Sequence, residues 1–251
     1  MAGEVYFNVD GVALNADDDR IFIEAEPWFI SSTPLLRYYP LDSLTDMGPG
    51  GYTLENSGVT FDDGYANFDS QSYLQTDQIP FAPDLSLSGF TIFYWFKPYD
   101  LTTPQVMYNF LRPTSTNTTW YTYFDGSGNL VLIDRPVFFP TNLDRYKYTG
   151  QFNGEENNWY HICYTYREDI IDRLFYSGDT QNTYLLQNLT TYTHHNDAPG
   201  DNYYLTLGKQ YGAVPTFNGQ MSGFILEYKY WTQSEIEAQI AKGPYPGWNV
   251  T

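Results

Sequence analysis

Residues 89–98 read GFTIFYWFKP, apolar or β-branched at nearly every position and closed by a proline. The run is too short for an ordinary helix and predicts a strand buried on both faces, in the middle of a sheet. Residues 158–166 follow a different pattern. There Trp159, His161, Cys163 and Thr165 alternate with Tyr160, Ile162, Tyr164 and Tyr166, the period of a strand, and this segment is the expected partner of the first.

Shorter apolar stretches, separated by turn residues, surround these two. Strands are expected at 4–9, 20–25, 37–42, 59–61, 65–68, 72–75, 105–110, 120–124, 130–133, 172–176, 203–208 and 223–231. Turns are expected at 15–19, at 48–51 and at Asp125-Gly-Ser-Gly-Asn129, the last joining a hairpin. Residues 172–176 read as the hairpin partner of 158–166, turning at Ser177-Gly178-Asp179. Residues 134–157 are less periodic and predict a long loop or short edge strands.

One short C-terminal helix is expected. Thr232 and Glu235 have capping-box spacing, Ile236 and Ile240 lie one turn apart, and Gly243-Pro244 stops the helix. Many short strands without alternating helices predict an all-β fold, an antiparallel two-sheet β-sandwich of jelly-roll type. The division expected is an N-terminal arm or hairpin extension at 1–35, a jelly-roll domain at 36–242 and a tail at 243–251.

Composition agrees with strands: of 251 residues, 19% are aromatic and only 17% charged. The formal net charge is −18, a field that repels nucleic-acid phosphates and anionic membranes. The lone cysteine, Cys163, sits in a core strand and cannot form an intrachain disulfide. The N-terminal residues lack the basic and apolar regions of a secretory leader, and no apolar run is long enough to span a membrane.

Five segments in order resemble the laminin-G-like domains of the concanavalin A-like lectin/glucanase family. They are Tyr39-Pro-Leu-Asp42 with Ala66 to Leu74, the 90–98 strand, the 159–166 strand, Leu205-Thr-Leu-Gly208, and Phe217-Asn-Gly219 followed by Trp231 and Ser234-Glu235-Ile236. The resemblance spans about residues 38–240. It implies two curved antiparallel sheets face to face and, in most members, a binding module for glycans or proteins, often with calcium. At Ser222 and Gly223 the chain departs from the family, which carries an acidic residue there.

Glycoside hydrolysis needs two carboxylates across a cleft, and no Glu-x-Asp-x-x-Glu string supplies them, so no catalysis is expected. Among His161, His194 and His195, the first falls on a core strand, where packing is its expected role. Calcium is the one cofactor the acidic turns admit, with Asp62, Asp63, Asp197 and Asp201 as candidate ligands. Sugar stacking would fall to loop aromatics: Tyr99, Tyr146, Tyr148, Tyr192, Tyr211 and Trp248.

Two functions follow as expectations. The first is a non-catalytic structural or attachment protein of a virion surface or tail, oligomeric, contacting other subunits or glycans. The second is a free-standing or secreted lectin-like module, calcium-dependent or not. Both exclude nucleic acid and membrane insertion.

Overall fold

The computed structural model describes residues 8–9, 12–13, 35–45, 53–76, 79–80, 89–111, 118–134, 146–167, 172–178, 183–188, 202–209, 216–227 and 229–244. The strand expected at 20–25 and the turns at 15–19 and 48–51 lie outside these residues. The chain divides into two compact units, 1–32 with 249–251, and 33–248. In the first unit β1 (Asn8–Val9) pairs antiparallel with β2 (Val12–Ala13).

The second unit is built of two eight-stranded sheets. Its strands begin with β3 (Leu35–Tyr39), β4 (Leu54–Ser57), β5 (Thr60–Asp62), β6 (Tyr65–Phe68), β7 (Tyr73–Thr76) and β8 (Ile79–Pro80). There follow β9 (Phe90–Pro98), β10 (Pro104–Leu111), β11 (Thr118–Asp125), β12 (Asn129–Asp134) and β13 (Tyr146–Gln151). The last are β14 (Tyr160–Arg167), β15 (Asp172–Gly178), β16 (Thr183–Asn188), β17 (Asn202–Leu207) and β18 (Gly219–Glu227). One sheet runs β13-β12-β11-β10-β17-β7-β4, with β8 on β17; the other runs β16-β15-β14-β9-β18-β6-β5, with β3 on β18. All the pairings between these strands are antiparallel. The fold is the expected two-sheet jelly-roll sandwich.

Alternation decides what fills the space between the sheets. From β9, Phe90, Ile92, Tyr94 and Phe96 enter the core, where they meet Met107, Tyr108, Phe110, Phe124, Leu130, Leu132, Leu205 and Leu207 of the facing sheet. The Tyr94 hydroxyl is buried there and bonds the Thr122 hydroxyl at 2.5 Å, so its one polar atom has a partner. Burial pushes its proton affinity far above that of an ordinary phenol.

Strand β9 is central, between β14 and β18, as its composition predicts. Its other face is buried too. Thr91, Phe93 and Trp95 are each 0% exposed although they point away from the core. Part of the cover is the segment after β18. The Thr91 hydroxyl donates to the Lys229 carbonyl at 2.6 Å, and the Trp231 backbone N–H donates to the hydroxyls of Thr91 (3.1 Å) and Thr165 (3.0 Å). The Trp231 ring lies 5.8 Å from that of Phe93.

This clamp also corrects the last predicted strand. It was expected over 223–231, but β18 begins at Gly219, bulges between Ser222 and Ile225, and ends at Glu227. Beyond it the backbone of Trp231 is held by side-chain hydroxyls instead of a ladder. Helix α1 (Gln233–Ile240) follows with its capping box intact and Ile236 and Ile240 buried. A further correction concerns Ser177-Gly178. These residues were expected to turn, yet β15 continues through them, pairing with Ile162 and His161. The polar β4 and the strand β16 were not foreseen. The 134–157 region supplies the edge strand β13.

Candidate functional site

The outward-facing side chains of β9 lie in register with those of β14 and β18, so they form transverse rows. Thr91 is level with Thr165 and Glu227, Phe93 with Cys163 and Ile225, and Trp95 with His161 and Ser222. All nine are fully buried. His161 packs as expected, stacked on Phe93 at 6.2 Å and edge-on to Trp95 at 5.2 Å. Burial pushes the Cys163 thiol up, which suits a packing residue and not a nucleophile.

One row further on, the cover stops. Lys97 is half-buried and pairs with Gln220, which pairs with Asn67, which pairs with Thr60. Trp159 immediately precedes β14, and the Tyr160–Phe96 pairing sets it level with Lys97. Thr60, Asn67, Gln220, Lys97 and Trp159 therefore form a row across five neighbouring strand positions at the open end of this sheet face. The Gln220 amide donates to Asn67 Oδ1 at 2.7 Å, and Asn67 Nδ2 donates to the Tyr65 carbonyl at 3.3 Å. Each amide is held in place by its neighbour.

Two aromatic rings complete the platform. Tyr65 lies 4.7 Å from Trp159, centroid to centroid and tilted by 40°, and both rings are half-buried. Burial raises the Tyr65 phenol, and the negative charge of Asp63 raises it further. Asp62 ends β5 opposite Tyr65, exposed, and accepts from the Thr60 hydroxyl at 3.1 Å. Asp63 occupies the following turn at φ +56°.

Tyr99 borders the other side. It is 37% exposed, the one large exposed hydrophobic residue among the described side chains, and the Lys97 ammonium sits 5.9 Å from its ring centroid. Its loop is tied down. The Tyr99 backbone N–H bonds the Asn218 carbonyl at 2.9 Å, and the Leu101 N–H bonds Glu156 Oε1 at 3.1 Å. Gln105 bridges the same loop to β18, receiving the Asn218 N–H at 2.8 Å and donating to the Asp100 carbonyl. Gly219 makes the crowded turn possible: its φ is +155°, and a Cβ there would collide with the Lys97 carbonyl and the Phe217 ring.

Of the residues singled out from sequence, Tyr99, Asp62 and Asp63 border this platform. Tyr146 and Tyr148 lie on the edge strand β13 of the other sheet, paired with Asp134 and Leu132. Tyr192, Tyr211, Trp248, Asp197 and Asp201 lie outside the described residues. Tyr65, Trp159, Asn67 and Gln220 were not singled out as site residues. Among the described residues no group of three or more His, Cys, Asp or Glu is gathered as a metal site would need. Nor is any described helix long and apolar enough to cross a membrane.

The sequence model of the concanavalin A-like lectin/glucanases superfamily matches residues 68–237. The chain belongs to that superfamily. No curated protein matches the sequence. Among solved structures, Domain 4 of AbnA, a GH43 extracellular arabinanase from Geobacillus stearothermophilus in complex with arabinotriose, is similar at 16% identity and TM-score 0.57. That match covers 84% of this chain and all of that domain. The botulinum neurotoxin serotype D binding domain is similar at 14% identity and TM-score 0.61, over 84% of this chain and 52% of that one. The serotype D ligand binding domain in complex with N-acetylneuraminic acid gives 13% identity and TM-score 0.58, over 84% and 51%. This superfamily chain thus spans about half the length of the neurotoxin domains it matches. At such identities the likeness is one of fold.

Proposed function

We propose that this chain is a non-catalytic binding module whose ligand is a glycan, held on the platform of Tyr65, Trp159, Asn67 and Gln220. The observation that carries the reading is a half-buried pair of rings beside two amides joined by a hydrogen bond. Ring faces match the C–H faces of sugars, and fixed amides match hydroxyls, offering donor and acceptor together. The similar structures support it: the arabinanase domain was solved with arabinotriose, and a neurotoxin domain with N-acetylneuraminic acid.

Catalysis is not part of the proposal. Asp62 and Asp63 are neighbours on one turn and not a pair facing each other across a cleft, as glycoside hydrolysis demands. Among the described residues no cluster of three or more acidic or histidine side chains is gathered at the platform, and glycan binding is expected to persist in EDTA. The finer reading places the module at a virion or extracellular surface, as an oligomeric attachment component, with residues 1–35 as an assembly arm and 36–242 as the binding domain. Its acidic, tyrosine-rich composition supports that reading. Light scattering of the full chain and of a chain lacking 1–35 tests the assembly.

Calorimetric titration with oligosaccharides tests the binding site. Trp159→Ala should weaken binding at least tenfold, as truncating a central aromatic anchor does, with the fold intact by circular dichroism. Glycan binding that survives both Trp159→Ala and Tyr65→Ala would move the site elsewhere.

A further inference from the structure

Resting on that reading, we infer that the ligand is an uncharged, linear glycan lying across the strands, and that the platform selects against sialylated or uronate-bearing chains. The first ground is shape. The row from Thr60 to Trp159 crosses β5, β6, β18 and β9 to reach the start of β14. At the ordinary spacing of strands this is about 19 Å. Thr60, Asn67, Gln220 and Lys97 set hydrogen-bonding groups along that length, while the Tyr65 and Trp159 rings meet at 4.7 Å, so the contacts extend over more than one sugar unit.

The second ground is the inventory of charge. Recognition of a carboxylate is best served by arginine, whose fork gives paired, charge-assisted bonds. None of the described platform side chains is an arginine. The one cation on the row, Lys97, has its ammonium over the Tyr99 ring. Exposed acids border the row instead, Asp62 and Asp63 at one end and Glu155 and Glu156 in the segment leading to Trp159. The whole chain carries −18. A carboxylate entering this site meets like charges and no paired donor, whereas a hydroxyl meets amides suited to it. The neurotoxin domain solved with N-acetylneuraminic acid shares the fold but not, on this inference, the ligand class.

The test uses the full chain with two sets of probes. Neutral linear arabino- and gluco-oligosaccharides, from mono- to hexasaccharide, give the length dependence. Lactose against sialyllactose gives the charge dependence, at low and high salt. Affinity should climb with chain length up to the span of the row. The sialylated probe should bind roughly tenfold more weakly than its neutral counterpart at low salt, with the gap narrowing as salt screens the acids. The double variant Asp62→Asn, Asp63→Asn should narrow it as well. Asparagine tolerates the positive φ of Asp63, so this variant keeps the turn.

Sialyllactose binding as tightly as lactose, while Trp159→Ala abolishes both, would overturn the inference and leave the glycan site standing. Affinity complete at the monosaccharide would overturn the linear form. No binding by any probe would overturn the site and the inference together.

Discussion

Asn109 offers a direct test of how the other sheet is built. It lies on β10 between Tyr121 and Thr206, facing away from the core, and is 0% exposed. Neither its amide nitrogen nor its amide oxygen has a hydrogen-bond partner. Its neighbour cannot donate, since the Thr206 hydroxyl is directed at the backbone carbonyls of Lys209 (2.6 Å) and Asn109 (3.3 Å). A buried polar group without a partner costs about 1–3 kcal/mol. Asn109→Leu keeps the volume, removes both unpaired atoms, and adds apolar contact with the Tyr121 side. The expected gain is about 2 kcal/mol, or about 4–8 °C in Tm for a domain of this size. Asn109→Asp places a charge at the same point and should lower Tm instead. Thermal and urea unfolding of the three proteins measure this. A Tm for Asn109→Leu below that of the parent by a few degrees would refute the reasoning. It would mean that something bound in solution satisfies the amide.

Thr91→Val removes the hydroxyl shared by Lys229, Thr165 and Trp231, and should cost about 1–3 kcal/mol while speeding hydrogen exchange at the Trp231 amide. Unchanged exchange there would dismiss the clamp. Gly219→Ala should cost more than about 2 kcal/mol, because it combines positive φ with a collision, and it should also weaken glycan binding by shifting Gln220. Acid should destabilise the fold in a defined window. The Asp125 carboxyl is held down by the Asn129 side chain and the backbone N–H groups of Ser127 and Asn129, Asp100 by the Thr103 and Thr102 hydroxyls, and Asp69 by the Gln71 and Ser72 groups. Folded affinities for the proton below the unfolded ones mean stability present above about pH 4 and lost as pH falls through the depressed values. Asp125→Asn should show a shallower decline in Tm on acidification, and an identical decline would remove that residue from the account.

The strands at the centre were legible because both of their faces are apolar, and the structure gives the reason: the segment through Trp231 covers the second face of Phe93. Strand β4 was not legible, since Leu54 is its one apolar residue and pairing with β7 alone makes it a strand. The platform was hidden for another reason. Trp159 alternates with core residues, and nothing local tells that its row lies past the end of the cover. The bond between Asn67 and Gln220 joins residues far apart in the chain, and only the pairing of β6 with β18 brings them together. Tyr99 was legible because it follows a proline-closed strand and so falls in a loop.

The corner between β4 and β5 has a consequence for how the domain comes apart. β4 forms the edge of one sheet and β5 the edge of the other, and they are joined through Gly58 at φ +86°. The Asn56 side chain pins the joint, donating to the Val59 carbonyl and accepting its N–H, both at 2.8 Å. Leu54 and Val59 plug the core on either side. The corner works as a zip fastener whose slider sits on both tracks. A protease nick at Gly58 would unseal both sheets in one event. It would bare the outer edge of β7 along with that of β6, so that the border of the sugar platform and the far sheet fail together.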